Sequence, residues 1–469
     1  MSRYYFILIL FACFLYGNAQ ETNIQISVKG VENKQVILGY YYNKQILVKD
    51  TIALDAKGAS SYQPSSKLPE GIYVLYFPNQ TYLDFLLGSD QQFSLSTSVD
   101  DMLNQTTISG CKESELFLNY QKFIAVKQSD YERLQKEVEK KTDDAALTAS
   151  VKQQYEKLNE QVKQYTVHLK SENPNTFLTL FLEGLEDVDV PDLKKEYPLL
   201  NDSLLQQKRY YYYRNHFFDH FNFTDDRLLR TPYFTSRIDR YFNDVVPQIP
   251  DTVAVEAIAL IEQCRANGEM FKYVTSYLYN MVNESKIMGM DAALVQIAER
   301  YYLSGLATWA DHKFVEELRV QVSKIKPTLI GNIAPDLKMG AYNQQFYRLH
   351  ELSAPFVILV FWETECGHCK KEIPQLHQIW RDKLSHDIKV FCVYTQANEG
   401  DWKQFIETHQ LDEWINVYDP RNVTNFRNLY NVTSTPQIFI LDKDKKIVAK
   451  KIAVSQIEEI MHYLTNQKN

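Results

Sequence analysis

The stretch that decides the reading is residues 356–374, FVILVFWETECGHCKKEIP. An apolar run rich in branched and aromatic side chains ends at Trp362, and four residues later comes Cys366-Gly367-His368-Cys369, followed by a basic, amphipathic segment. The run reads as a buried strand and the segment after it as a helix. Cys366 then stands at the helix start, where unpaired backbone N–H groups and the positive helix end favour a thiolate. Cys369, one turn on, lies on nearly the same face and can close a small disulfide ring with it. A C-x-x-C with its two cysteines is also half of a zinc site. No second cysteine pair is close in sequence, so no metal is expected. The expectation is a redox-active Cys366–Cys369 disulfide with no other cofactor.

Working outward, 469 residues suggest several domains, each able to bury its own core. The chain is 45% hydrophobic and 23% charged, with 32 Tyr and 25 Phe, which argues for packed domains rather than long disordered tails. A net charge of −8 with no long Lys/Arg run gives no footprint for nucleic acid, and none is expected as a partner. The first residues read as a targeting segment. Arg3 is the charged start, residues 4–16 an apolar core too short to span a bilayer comfortably, and Gly17-Asn18-Ala19 a small-residue exit. Cleavage after Ala19 gives a signal peptide over 1–19 and an exported, periplasmic chain. The rival is a lipoprotein anchored through Cys13, after Leu10-Phe11-Ala12. No later segment reads as transmembrane. Of the remaining cysteines, Cys392 sits in a core-like strand and reads as an inert buried thiol. Cys111 and Cys264 are either free or bridge two regions.

Residues 20–110 read as an antiparallel β-sandwich. Alternating runs at 24–28, 35–42, 46–54, 71–77, 82–87 and 91–96 are punctuated by Gly, Asn, Asp and Pro. No His, Cys or carboxylate cluster stands out, and packing is the simpler role. Beyond Cys111 the period changes, and residues 111–326 read as an all-α domain. It opens with a charged helical hairpin over 115–169, broken near 141–144, and continues with helices at 176–185, 203–221, 235–246, 253–267, 271–285 and 291–301. The aromatics from Tyr210 to Phe223 read as core. His216-Phe217-Phe218-Asp219-His220 places two imidazoles one helical turn apart, but with Asp219 where the inverted zinc-protease motif has Glu, and with no third ligand.

Residues 327–469 alternate strands at 356–362, 388–395, 437–441 and 447–452 with helices at 367–384, 402–409, 423–430 and from Ser455. Two crossovers, a hairpin and a closing helix describe a thioredoxin-like α/β sheet. This part resembles the TlpA/ResA branch of the thioredoxin superfamily over most of residues 330–469. Ile333-Ala334-Pro335-Asp336 is similar to that branch's opening motif. Trp362 stands where the family has Trp, Pro374 where it has a helix-kinking Pro, and Ser434-Thr435-Pro436 where it has a cis-Pro loop. The resemblance implies that Trp362, Thr435 and Pro436 bind substrate, with Thr435 backbone groups pairing with an extended chain. The β-rich and helical parts resemble domains of unknown function found ahead of thioredoxin-like domains in exported bacterial proteins. The signals there are residues 217–232, 68–73 and Lys49-Asp50-Thr51.

Two departures from thioredoxin shape the expected chemistry. Val360 replaces the buried Asp of thioredoxin, whereas Glu372 matches the branch's Glu three residues after the second Cys. Glu372 is either a proton carrier for Cys369 or a surface residue of the first turn. Glu365, where thioredoxin has Trp, opposes a thiolate at Cys366. Gly367-His368 is the dipeptide of protein disulfide isomerase, and a protonated His368 makes the disulfide more oxidising. The dipeptide pulls toward oxidant or isomerase and the branch toward reductase, with reductase preferred. Expected partners are protein thiol or disulfide substrates and a redox protein that resets the site. The alternatives are a docking protein whose N-terminal domains carry the main role, or a peroxiredoxin-like peroxidase, although Glu363 stands where the latter has Thr or Ser.

Overall fold

The computed structural model describes residues 22–139 and 145–466. The segment read as a signal peptide, Cys13, and the break near 141–144 lie outside the described residues. The chain divides into two compact units, Met1–Val245 and Val246–Asn469. The helical stretch expected as one domain is therefore shared between them.

In the first unit the alternating sequence produces eight strands: β1 (Asn23–Lys29), β2 (Gln35–Tyr42), β3 (Gln45–Ala53), β4 (Ala59–Tyr62), β5 (Gly71–Tyr76), β6 (Tyr82–Leu87), β7 (Gln92–Ser98) and β8 (Thr107–Ser109). They form two four-stranded sheets, ordered β4-β1-β7-β8 and β3-β2-β5-β6. Ile24, Ile26, Phe93 and Leu95 of one and Val36, Leu38, Leu75 and Phe85 of the other join a single buried cluster. Not every pairing is antiparallel, as the sequence reading had it. β1 and β7 run parallel along their whole length, Ile24 opposite Phe93 and Ile26 opposite Leu95. Parallel neighbours need a long connection, and here the second sheet supplies it.

The helices Lys112–Glu139 and Ala145–Glu172 follow. They pack against each other through Phe123 on Tyr165 (4.2 Å between ring centroids) and Tyr131 on Tyr155 (4.7 Å). The helix expected over 203–221 is Asp202–Asn215, with His216 as its C-cap. Past it, Phe217, Phe221 and Phe223 turn into a buried aromatic cluster with Phe234 and Tyr241. The two histidines of the H-x-x-D-H thus do not share a helix. His216 Nδ1 pairs with Asp219 at 2.6 Å, and His220 Nδ1 lies 3.5 Å from Glu186. Two of the stretches that carried the N-terminal resemblance, 68–73 and 217–232, also meet. Arg227 pairs with Glu70 at 2.8 Å, and Arg230 donates to the Glu70 carbonyl. A Cβ on Gly71 would stand 2.7 Å from that of Arg230, so only glycine fits there.

The second unit opens with helices Pro250–Gln263, Gly268–Glu284, Asp291–Ile297 and His312–Ile325. Seven strands follow: β9 (Lys338–Ala341), β10 (Phe346–Arg348), β11 (Phe356–Trp362), β12 (Ile388–Tyr394), β13 (Ile415–Tyr418), β14 (Gln437–Asp442) and β15 (Ile447–Lys450). They form one sheet in the order β10-β9-β13-β12-β11-β14-β15. β11, β12 and β13 are mutually parallel, and the remaining pairings are antiparallel. Strands β9, β10 and β13 were not legible in the sequence, and the second crossover ends on β13. All seven side chains of β11 are buried. Phe356, Ile358, Val360 and Trp362 face one core, and Val357, Leu359 and Phe361 face the other. Burial on both faces explains the unbroken apolar run. Among the described residues, no helix is long and apolar enough to cross a membrane.

Candidate active site

β11 ends at Trp362, and the chain then leaves the sheet for four residues before the helix Gly367–Ile379 begins. Cys366 is the N-cap of that helix, and its sulfur accepts the Cys369 backbone N–H at 3.4 Å. The same sulfur lies 3.1 Å from the Thr435 carbonyl oxygen, a contact that the protonated thiol makes by donating. Thr435 and Pro436 are joined by a cis peptide bond. Sequence positions 69 residues apart therefore meet at one sulfur. Cys366 is partly exposed, whereas Cys369 is fully buried.

The two thiols differ accordingly. Burial pushes the Cys366 thiol up. Hydrogen bonds from the Cys369 backbone N–H, from the Thr435 side chain and from the Cys369 side chain outweigh it, and the pKa falls below the ordinary thiol value. Burial raises the Cys369 thiol to about 12, against a smaller lowering by the Glu363 backbone. Its surroundings account for this: Cys369 shares an apolar core with Val360, Trp362 and Cys392. Val360, where thioredoxin has Asp, offers no carboxylate beneath it. The helix start favours charge on the first sulfur, and the core opposes it on the second.

The other expected residues are placed as follows. Gly367 has open space where a Cβ would stand, and His368 and Glu365 are exposed around Cys366. Glu372 is half-buried on the first turns of the helix, and its carboxylate makes no hydrogen bond to a described side chain or backbone group. Trp362 differs from expectation. It has no exposed surface and packs on Phe405 (4.6 Å) and Tyr394 (5.3 Å), so it braces the site from beneath instead of touching a client. Thr435 and Pro436 are half-buried. The Ile333–Asp336 motif is structural: Tyr430 donates to the Pro335 carbonyl, and Asp336 pairs with Arg348.

A small polar group beside the site went unnoticed in the sequence. Glu363 accepts hydrogen bonds from Thr395 Oγ1 at 3.4 Å and Gln396 Nε2 at 3.3 Å. Arg427 donates to the Thr395 carbonyl at 2.6 Å. These residues come from three elements, and no spacing in the sequence joins them. Among the described residues, the remaining cysteines, Cys111, Cys264 and Cys392, are buried free thiols. Cys111 accepts from Ser114, Cys264 donates to the Leu260 carbonyl, and Cys392 lies inside β12.

Residues 330–450 match the AhpC/TSA family. Among curated proteins, the thiol-disulfide oxidoreductase ResA of Bacillus cereus is 26% identical over 135 residues, which is 29% of this chain and 76% of that protein. ResA of Geobacillus thermodenitrificans is 26% identical over 141 residues, 30% of this chain and 78% of the relative. The chain carries a TlpA/ResA-like domain of the thioredoxin superfamily. Its enzymatic class is thiol-disulfide oxidoreductase. Among solved structures, a domain of a possible thiol-disulfide isomerase from Cytophaga hutchinsonii is 32% identical, covering 30% of this chain and 96% of that one at a TM-score of 0.28. The regions ahead of the TlpA/ResA-like domain match two domains of unknown function, DUF4369 over residues 22–117 and DUF5106 over residues 187–322.

Proposed function

We propose that this chain is an exported reductase of protein disulfides, working through Cys366 and Cys369. The observation that carries the reading is the inequality of the two thiols, one lowered and partly exposed, the other buried and raised to about 12. Only the first is poised to attack. Its thiolate displaces one sulfur of a client disulfide, forming the mixed disulfide and releasing a client thiolate that takes up a proton. Cys369 then loses its proton and attacks Cys366 Sγ. The second client thiol leaves, and two electrons have passed to the client. A separate dithiol protein must reduce the Cys366–Cys369 disulfide again. Thr435 and Pro436 border the attacking sulfur and are the residues we assign to client contact. Glu372, one turn beyond Cys369, is the assigned proton carrier. Export rests on the sequence of residues 1–19.

The reducing direction is supported by what surrounds Cys366. A strong oxidant needs a heavily stabilised thiolate. Here the lowering of the Cys366 pKa is opposed by burial and by the Thr435 carbonyl, to which the protonated thiol donates, and Glu365 adds a nearby negative charge. The test is a redox titration of the full chain in glutathione buffers, combined with trapping by Cys369→Ser. A midpoint below about −230 mV, on the thioredoxin side of the range, supports the reductase. A value near about −120 to −180 mV would make it an oxidant or isomerase. The AhpC/TSA match keeps a peroxidase as the second reading. Rapid, Cys366-dependent consumption of peroxide would favour it.

A further inference from the structure

A cleft of about 840 Å³ lies within the second unit. One wall is built by the turn after helix Gly268–Glu284 and by a face of helix His312–Ile325. The other is built by the loop ahead of Thr435 and by the end of β15. Its floor is fixed by Lys450, whose buried ammonium pairs with Asp291 and donates to the Thr328 carbonyl at 2.8 Å. That charge is spent inside the fold.

The rim differs. Lys286, Lys324 and Lys451 line the cleft and form no ion pair with a described residue. The one acidic group beside them that is not in the floor pair, Glu317, lies within 3.9 Å of Lys313. Ile287 and Val320 add apolar surface, 38% and 52% exposed. On a chain of net charge −8, this is a local cationic and apolar surface. It borders the loop that leads to the redox site. Thr433 lines the cleft and stands two residues before Thr435, no more than about 7 Å along an extended chain.

We infer that this cleft holds the segment of a protein client that flanks its reactive disulfide, and that it selects clients with acidic and apolar residues there. The inference rests on the disulfide-exchange function proposed above and names its substrate class. An extended client passing Cys366 and Thr435 runs into the cleft, where carboxylates meet the three lysines and apolar side chains meet Ile287 and Val320. Rim charges of this kind act mainly on the encounter rate and on its salt dependence.

The test uses the full chain, reduced, and two short synthetic peptides. Each carries one cysteine as a mixed disulfide with glutathione, flanked by Glu and Leu in one peptide and by Lys and Leu in the other. The readout is the ratio of the two exchange rates, which cancels any change common to both at Cys366. The acidic peptide is expected to react about tenfold faster at low salt. The ratio should fall toward one as salt shortens the screening length, and toward or below one in the Lys286→Glu/Lys324→Glu/Lys451→Glu variant. Equal rates at low salt would overturn the inference while leaving exchange chemistry intact. Failure of both peptides and of a small disulfide would overturn the function itself. A second copy of this chain in the cleft would appear as concentration-dependent dimerisation abolished by the same three substitutions, and that also overturns it.

Discussion

Strands β7 and β11 each run seven residues, yet β11 buries all of its side chains and β7 leaves Gln92, Ser94 and Ser96 exposed. β7 belongs to a sheet with one covered face, so its composition alternates, and the exposed side carries small polar groups without a titratable cluster. β11 lies between β12 and β14 with a core on either face. A strand enclosed in this way can meet solvent only at its ends. Chemistry collects where the parallel strands of such a sheet finish and the next helices start, and Cys366 stands four residues past the end of β11. The same enclosure that makes the strand rigid positions the thiol.

The sharpest way to break the comparison is at that end. Cys366→Ser should lower the disulfide-exchange rate by about a thousandfold or more, because a hydroxyl is not ionised where a thiolate is. The thermal transition should stay in place, since Cys366 is partly exposed and serine replaces its capping sulfur with a hydroxyl oxygen, a favoured N-cap acceptor. Residual exchange within tenfold of the parent would remove the link between the strand end and the chemistry.

A smaller effect separates the two strands themselves. Leu359→Ala, in the middle of β11, deletes a fully buried side chain and should cost about 2–5 kcal/mol. Ser94→Ala, on the exposed side of β7, should fall within about 0.5 kcal/mol. Denaturant melts of both variants measure the difference. Equal values would mean that β11 is not held from both sides.

The contrast also governs what the sequence disclosed. β11, β12 and the helix after Cys366 were legible because burial dictates their composition residue by residue. β4 and β8 were not, since each has a single buried side chain, Tyr62 and Ile108, and no period can be read from one residue. β10 has none. These strands exist through pairing with distant partners, which local composition does not encode. Trp362 was placed correctly in the sequence but not in depth, because a position relative to Cys366 carries no information on what covers it. Helix Asp202–Asn215 was read too long for a related reason: the Phe residues beyond Asn215 maintain the apolar density while packing from turns. Glu363, Thr395, Gln396 and Arg427 come together only in three dimensions.

The smallest effect tests how finely the strand end is tuned. Cys366 has a lowered pKa, so its exchange rate should rise with pH and level off at a midpoint below that of an ordinary thiol. The sign follows from the active form: thiolate is lost as pH falls through the folded pKa, and reactivity is lost with it. Glu365 precedes Cys366 and is exposed, so its charge acts through solvent and its influence is screened. Glu365→Gln should therefore move the midpoint slightly further down and raise the rate near neutral pH by about twofold, with the difference vanishing at high salt. The gain is limited because a more stable thiolate is also a weaker nucleophile. A midpoint that does not move would place the control of Cys366 entirely in the Cys369 N–H and Thr435 contacts. Those contacts are fixed by the fold, and Glu365 would then be a bystander at the rim.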